Sequence, residues 1–106
     1  MLDTRAAAAA ARAEVRTRAL SAKLPQASEL LLRHGATRVW LFGSLARGDA
    51  NDMSDVDLAV EGLPEGANFE ALAELMQLFG VRVDLARLEE VGESLRACVR
   101  AEGRRL

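Results

Sequence analysis

Two aspartates, Asp55 and Asp57, stand two positions apart at the start of an apolar run, Val56 to Val60. A strand turns alternate side chains to opposite faces, so residues i and i+2 share a face. Asp55 and Asp57 therefore project side by side, with Val56 turned into the packing. Carboxylates held together repel one another and lose hydration, so the pair calls for a compensating cation or proton. For an all-oxygen donor pair the natural cation is Mg²⁺, which takes one or two carboxylates together with phosphate oxygens.

Just upstream lies Leu41-Phe42-Gly43-Ser44-Leu45-Ala46-Arg47-Gly48, which reads as a strand, a glycine-serine turn and a short helix. Glycine lets the backbone approach a ligand closely. The N–H groups that follow open a helix, where donors are free and the dipole favours an anion. Ser44 adds a hydroxyl and Arg47 a planar cation suited to phosphate oxygens. One wall of the site thus favours phosphate and the next strand offers carboxylates for Mg²⁺. That layout suits a nucleoside triphosphate and metal-assisted phosphoryl or nucleotidyl transfer. The sequence contains neither G-x-x-x-x-G-K-[ST] nor a G-x-G-x-x-G opening a βαβ unit. A glycine-serine turn alone is weak evidence, and so is Asp-x-Asp alone. Together, at short spacing, they are specific. Structural alternatives remain for three neighbours: Arg47 in a salt bridge to Asp49 or Asp52, Ser54 bonding the loop backbone, and Asp84 paired with Arg82.

The elements that would position these groups follow from periodicity. Residues 3–23 are rich in alanine and arginine and form a helix, capped by Asp3 or Thr4. Its apolar face is thin (alanines, Val15, Ala19, Leu20, Leu24), so it is either a solvated helix or a segment that docks a partner. Pro25 opens a second helix over 25–34 with Ala27, Leu30, Leu31 and Leu32 inward, ended by Gly35. His34, the only histidine, belongs to the surface or to the helix dipole. Thr37 to Phe42 is a strand that is apolar on both faces and hence central, and Asp55 to Val60 is a second strand, stopped by Gly62 and Pro64. Residues 67–79 form an amphipathic helix capped by Asn68, with Phe69, Leu72, Leu75, Met76 and Phe79 on its buried stripe. Val81 to Leu85 is a third strand with Asp84 on the face opposite Val83. Residues 88–102 form a last helix with Val91, Leu95, Cys98 and Val99 inward, and Arg104 to Leu106 form a tail.

With 106 residues, half of them hydrophobic and 28% charged, the chain is one globular domain. No apolar run approaches the ~20 residues that span a bilayer, and the N-terminus lacks the order of a secretory signal. The single cysteine excludes an internal disulfide, and these features favour the cytoplasm. The net charge of −2 is unevenly spread. Residues 1–48 hold 8 Lys/Arg against 3 Asp/Glu, residues 49–95 hold 2 against 12, and residues 96–106 hold 4 against 1. An acidic middle suits cation binding and repels bare nucleic acid, so direct nucleic-acid binding is not expected.

The stretch Gly43-Ser44-x-Ala46-Arg47-Gly48, followed after five residues by Ser54-Asp55-x-Asp57-Leu58, resembles the signature of the DNA polymerase beta-like nucleotidyltransferase superfamily. The resemblance covers about residues 25–102 and is nearest to the smallest branch, the minimal nucleotidyltransferases (MNT), often paired with HEPN proteins in toxin–antitoxin modules. It implies an α/β (α+β) fold with a small mixed sheet flanked by helices. Residues 25–106 would be the nucleotidyltransferase domain and residues 1–24 a helix outside the family motif. It implies Mg²⁺, two ions, held by Asp55, Asp57 and a third carboxylate for which Asp84 stands at the matching place, and ATP gripped at Gly43, Ser44, Arg47 and Ser54. Larger members carry an extra helical domain. Here the catalytic core takes up the chain, so a protein substrate completes the site or the chain forms a homo-oligomer. By resemblance the protein is an antitoxin that transfers AMP to a hydroxyl of a HEPN-family toxin. Occlusion of that partner without chemistry, or transfer to a small-molecule acceptor, are the competing readings.

Overall fold

The computed structural model of the chain describes residues 4–47 and 56–106. Its elements in chain order are α1 (Thr4–Ser21), α2 (Leu24–Arg33), β1 (Arg38–Phe42), α3 (Gly43–Arg47), β2 (Val56–Glu61), α4 (Glu65–Phe79), β3 (Val83–Arg87), α5 (Glu93–Glu102) and β4 (Arg104–Arg105). The strands form one sheet in the order β3-β2-β1-β4. β1 runs antiparallel to both β2 and β4, and β2 runs parallel to β3. The sheet is therefore mixed, with β1 inside it.

The two faces of the sheet bury different things. Val39 and Leu41 of β1, Val56, Leu58 and Val60 of β2, and Val83 of β3 join Leu30 and Leu31 of α2 and Ala71 and Leu75 of α4 in the main core. Each of these is at most 8% exposed. On the other face Ala59, Leu88 and Val99 form a smaller cluster, with Trp40, Phe42 and Val91 packed against it. α5 covers this second face through Val99. Strand parity explains the split: Ala59 lies between Leu58 and Val60 and must point away from them.

Several expectations change in the structure. α4 begins at Glu65, with Pro64 in the cap position, so Asn68 lies inside the helix and caps nothing. Its buried stripe is Ala71, Leu75 and Phe79, flanked by Leu72 and Leu78. Phe69 is 83% exposed and Met76 is 43% exposed, so both leave the predicted stripe. A small residue at position 71 lets α4 approach the sheet, and the helix then settles on the Ala71–Leu75–Phe79 line. Leu32 is likewise exposed, because Leu24, Ala27, Leu30 and Leu31 fill the contact of α2. The last helix starts at Glu93, since residues 88–90 turn to bury Leu88, and Leu95 and Cys98 face outward. The expected tail is instead β4, which pairs Trp40 with Arg105 and Leu41 with Arg104. The Arg105 guanidinium stands 6.0 Å from the Trp40 ring centroid, a cation–π distance.

His34 caps α2 and pairs with Glu74 of α4, a surface contact as expected. Gly35 follows with φ +113°, and Gly80 ends α4 in the left-handed region. No described helix is long and apolar enough to cross a membrane.

Candidate functional site

The site grows from the end of β1. Phe42 pairs with Asp57 across the antiparallel ladder, so the chain leaving β1 at Gly43 passes directly beside that carboxylate. Gly43 has φ +75°, and a Cβ built there would lie 2.2 Å from Asp57 Oδ2. Glycine is required on two counts: the left-handed backbone, and the absence of any atom between the turn and the carboxylate. α3 follows at once. Leu45 is buried in the main core and anchors this helix, Ser44 is half-buried, and Arg47 is exposed at its end.

β2 and β3 supply the second wall. They run parallel with Asp57 opposite Asp84. Facing residues in adjacent strands point to the same side, and the strands are ~4.8 Å apart. The two aspartates are thus neighbours on the face opposite Val56, Leu58 and Val83. Asp57 is half-buried and Asp84 exposed, so the pair opens from the sheet toward solvent. α5 borders the same region. Glu102 accepts a bond from the Cys98 thiol at 3.6 Å. The negative charge of Glu102 raises the Cys98 pKa, and the Arg47 guanidinium opposes that rise, which puts the end of α3 within electrostatic reach of α5.

The structure therefore brings together Gly43, Ser44, Asp57 and Asp84, with Arg47 on the rim. Asp55, Ser54 and the suggested salt-bridge partners of Arg47, Asp49 and Asp52, lie outside the described residues. Among the described residues no three His, Cys, Asp or Glu side chains form a metal cluster. The two carboxylates they do supply are all-oxygen donors set beside a turn that a side chain would block. That donor chemistry fits a hard cation such as Mg²⁺, which takes few carboxylates and completes its shell with phosphate oxygens and water.

Sequence reasoning overlooked two groups here. One is Phe42, whose pairing with Asp57 fixes the turn against the carboxylate. Strand parity places Phe42 on one face of β1 but cannot supply the register with β2. The other is the Cys98–Glu102 pair of α5. The i, i+4 spacing of a thiol and a carboxylate on an exposed helix flank was the available signal.

The profile of the family described as polymerase beta, nucleotidyltransferase matches residues 27–106. A curated relative, the protein adenylyltransferase MntA of Thermococcus cleftensis, is 43% identical over 60 residues, which are 54% of this chain and 61% of that protein. The chain thus spans about three fifths of the length of the curated relative it matches. The solved structure of a candidate minimal nucleotidyltransferase superposes with TM-score 0.75 at 37% identity, covering 85% of this chain and 95% of that one. A toxin–antitoxin crystal structure with AMP-PNP superposes with TM-score 0.66 at 28% identity, covering 73% of this chain and 66% of that one. The strand-turn-helix that sets Gly43 against Asp57 lies within the matched region, and the chain belongs to the polymerase beta-like nucleotidyltransferase family.

Proposed function

We propose that this chain is a protein adenylyltransferase acting as an antitoxin, which transfers AMP from ATP to a hydroxyl of a HEPN-family toxin. The observation that carries this reading is the contact of the Gly43 turn with the Asp57 carboxylate, with Asp84 in register beside it. A triphosphate placed along the turn would bring its phosphates against the carboxylates. The names of two relatives support a toxin as the acceptor: an adenylyltransferase and a toxin–antitoxin complex with an ATP analogue.

In this reading Asp55, Asp57 and Asp84 would hold Mg²⁺, two ions in the full site. When bound, Mg²⁺ neutralises triphosphate charge and makes the acceptor hydroxyl more acidic. The chain's own groups do the rest. Ser44 and the N–H groups of α3 bind the outer phosphates and stabilise the charge that builds on the leaving group. Arg47 holds a phosphate oxygen from the rim. Asp84, the more exposed carboxylate, takes the proton of the acceptor hydroxyl. The hydroxyl oxygen forms a bond to the α-phosphorus, the bond from that phosphorus to the bridging oxygen breaks, and pyrophosphate leaves. Ser54 adds a further contact to the nucleotide in this reading. Residues 25–106 form the catalytic unit, residues 1–24 a separate helical segment, and the reaction takes place in the cytoplasm.

The test is to incubate the chain with ATP labelled at the α-phosphate, Mg²⁺ and a HEPN-family toxin. Label is expected on the toxin, with loss of toxicity, and neither label nor loss of toxicity when Asp55→Asn and Asp57→Asn are combined. Neutralisation by that double variant as complete as by the unchanged chain would overturn the enzymatic reading in favour of occlusion. Label on a small-molecule panel, with none on the toxin, would move the acceptor to a different class.

A further inference from the structure

α1 and α4 carry opposite charge, and each leaves apolar side chains in solvent. In α1, among the residues whose side chains are described, Leu20 alone is buried, and Val15 is 66% exposed. The radius of gyration is 14.8 Å, against about 13 Å for a compact domain of this length. Leu20, in its last turn, is where α1 enters the main core. Beside it runs a groove of about 580 Å³, floored by Val15 and Leu20 of α1 and by Phe79 and Val81, and bordered by Arg12 and Arg16. On α4, Phe69 and Met76 lie two turns apart on one flank and are 83% and 43% exposed. Glu65 stands one turn before Phe69 on that flank, and Glu70 borders it.

The charges are complementary. α1 carries Arg5, Arg12, Arg16 and Arg18 against Glu14 alone, whereas α4 carries Glu65, Glu70 and Glu74 and no Lys or Arg. An apolar groove with a cationic border matches an apolar stripe with an anionic border. The two surfaces also adjoin within one molecule, since Phe79 lines the groove and Met76 precedes it by one turn. A two-fold axis at that junction makes the contact reciprocal and closed.

We propose that the groove is filled by a second copy of this chain, with α4 of each copy lying along α1 of the other: Phe69 and Met76 against Val15 and Leu20, and Glu65 and Glu70 facing Arg12 and Arg16. A bilayer fits the groove poorly. Helices that lie on membranes present large residues such as Trp, Phe and Leu, and the solvent-facing apolar positions described on α1 are alanines and Val15.

Sedimentation velocity on the purified chain tests this. A concentration-dependent dimer is expected that weakens at high salt, because part of the attraction is between exposed charges. Arg12→Glu with Arg16→Glu, and separately Glu65→Lys with Glu70→Lys, should each give monomers, since each sets like charges together. An equimolar mixture of the two variants should restore a dimer containing one of each. Phe69→Ser removes an exposed side chain that the monomer does not use, and should raise the dissociation constant by about tenfold or more. Circular dichroism verifies that each variant folds. The proposal is overturned by an unchanged chain that stays monomeric at about 100 μM, by a dimer that survives both reversals, or by a mixture that fails to reassociate. A monomer whose α1 reversal abolishes co-purification with the HEPN toxin would assign the groove to the toxin and overturn it as well.

Discussion

Two glycines mark opposite ends of the sheet, and each places its backbone beside a carboxylate. Gly43 has φ +75° and lies against Asp57, whereas Gly62 has φ +83° and donates its N–H to Glu89 Oε2 at 2.8 Å. The local geometry is alike, yet the two carboxylates are held in different ways. Glu89 comes from the turn after β3, and its carboxylate serves a backbone donor at the end of β2. Asp57 comes from within β2 and is fixed by ladder partners on both sides, Phe42 and Asp84. A carboxylate supplied by a turn finishes a connection. A carboxylate supplied by a central strand is held in place by the fold, and under the proposed function it serves the chemistry. The comparison predicts that damage at the two ends separates into lost rate and lost stability.

The largest effect is expected from Asp57→Asn. The change keeps shape and removes charge, so adenylyl transfer should fall by about 10³-fold, the scale of losing one preorganised electrostatic group. The urea midpoint should move little. A variant with unchanged transfer would remove Asp57 from the chemistry, and one that unfolds would make it a structural residue like Glu89.

Next come the glycines themselves. Gly62→Ala would put a Cβ 2.7 Å from Thr37 Oγ1 and 3.2 Å from the Thr37 nitrogen, at a positive φ. A loss of about 1–3 kcal/mol is expected in urea unfolding, with transfer per folded molecule intact. Gly43→Ala meets the same backbone cost and also drives a methyl into the Asp57 carboxylate, so it should lose stability and rate together. If both variants show the same ratio of lost rate to lost stability, the two ends are not functionally distinct.

Much of this was legible in the sequence, and what was missed has identifiable causes. The strand-turn-helix at 41–47 and the run at 56–60 stand out because two-sided apolar strands and a glycine turn leave few other conformations. Register does not stand out: nothing in Phe42 or Asp84 says that each faces Asp57. β4 was hidden for another reason. Arg104-Arg105 has no apolar alternation, and the strand exists because Gly103 lets the chain turn back onto β1, where a Cβ would meet the Val99 carbonyl oxygen at 2.3 Å and that of Leu41 at 3.3 Å. On α4 the periodicity allows two neighbouring stripes, and size alone favours turning the large residues inward. The helix instead buries the line containing the small Ala71, which left Phe69 on the surface.

The smallest expected effect belongs to Glu89, and its sign separates the two ends once more. The bond from the Gly62 N–H lowers the Glu89 pKa below its ordinary 4.5; the slight desolvation of this exposed group opposes that, and Arg87 and Arg96 add to the lowering. A carboxyl whose pKa is lower in the folded state stabilises the fold above its unfolded pKa, and that stabilisation is lost as pH falls through the folded value. Glu89→Gln should therefore unfold more readily than the unchanged chain at neutral pH, by less than about 1 kcal/mol because the site is exposed. The gap should narrow as pH falls below about 4.5. Urea midpoints of both proteins across that range give the answer. A gap that persists at low pH would mean that Glu89 acts through its shape rather than its charge, and the likeness between the two glycine–carboxylate pairs would then end at geometry.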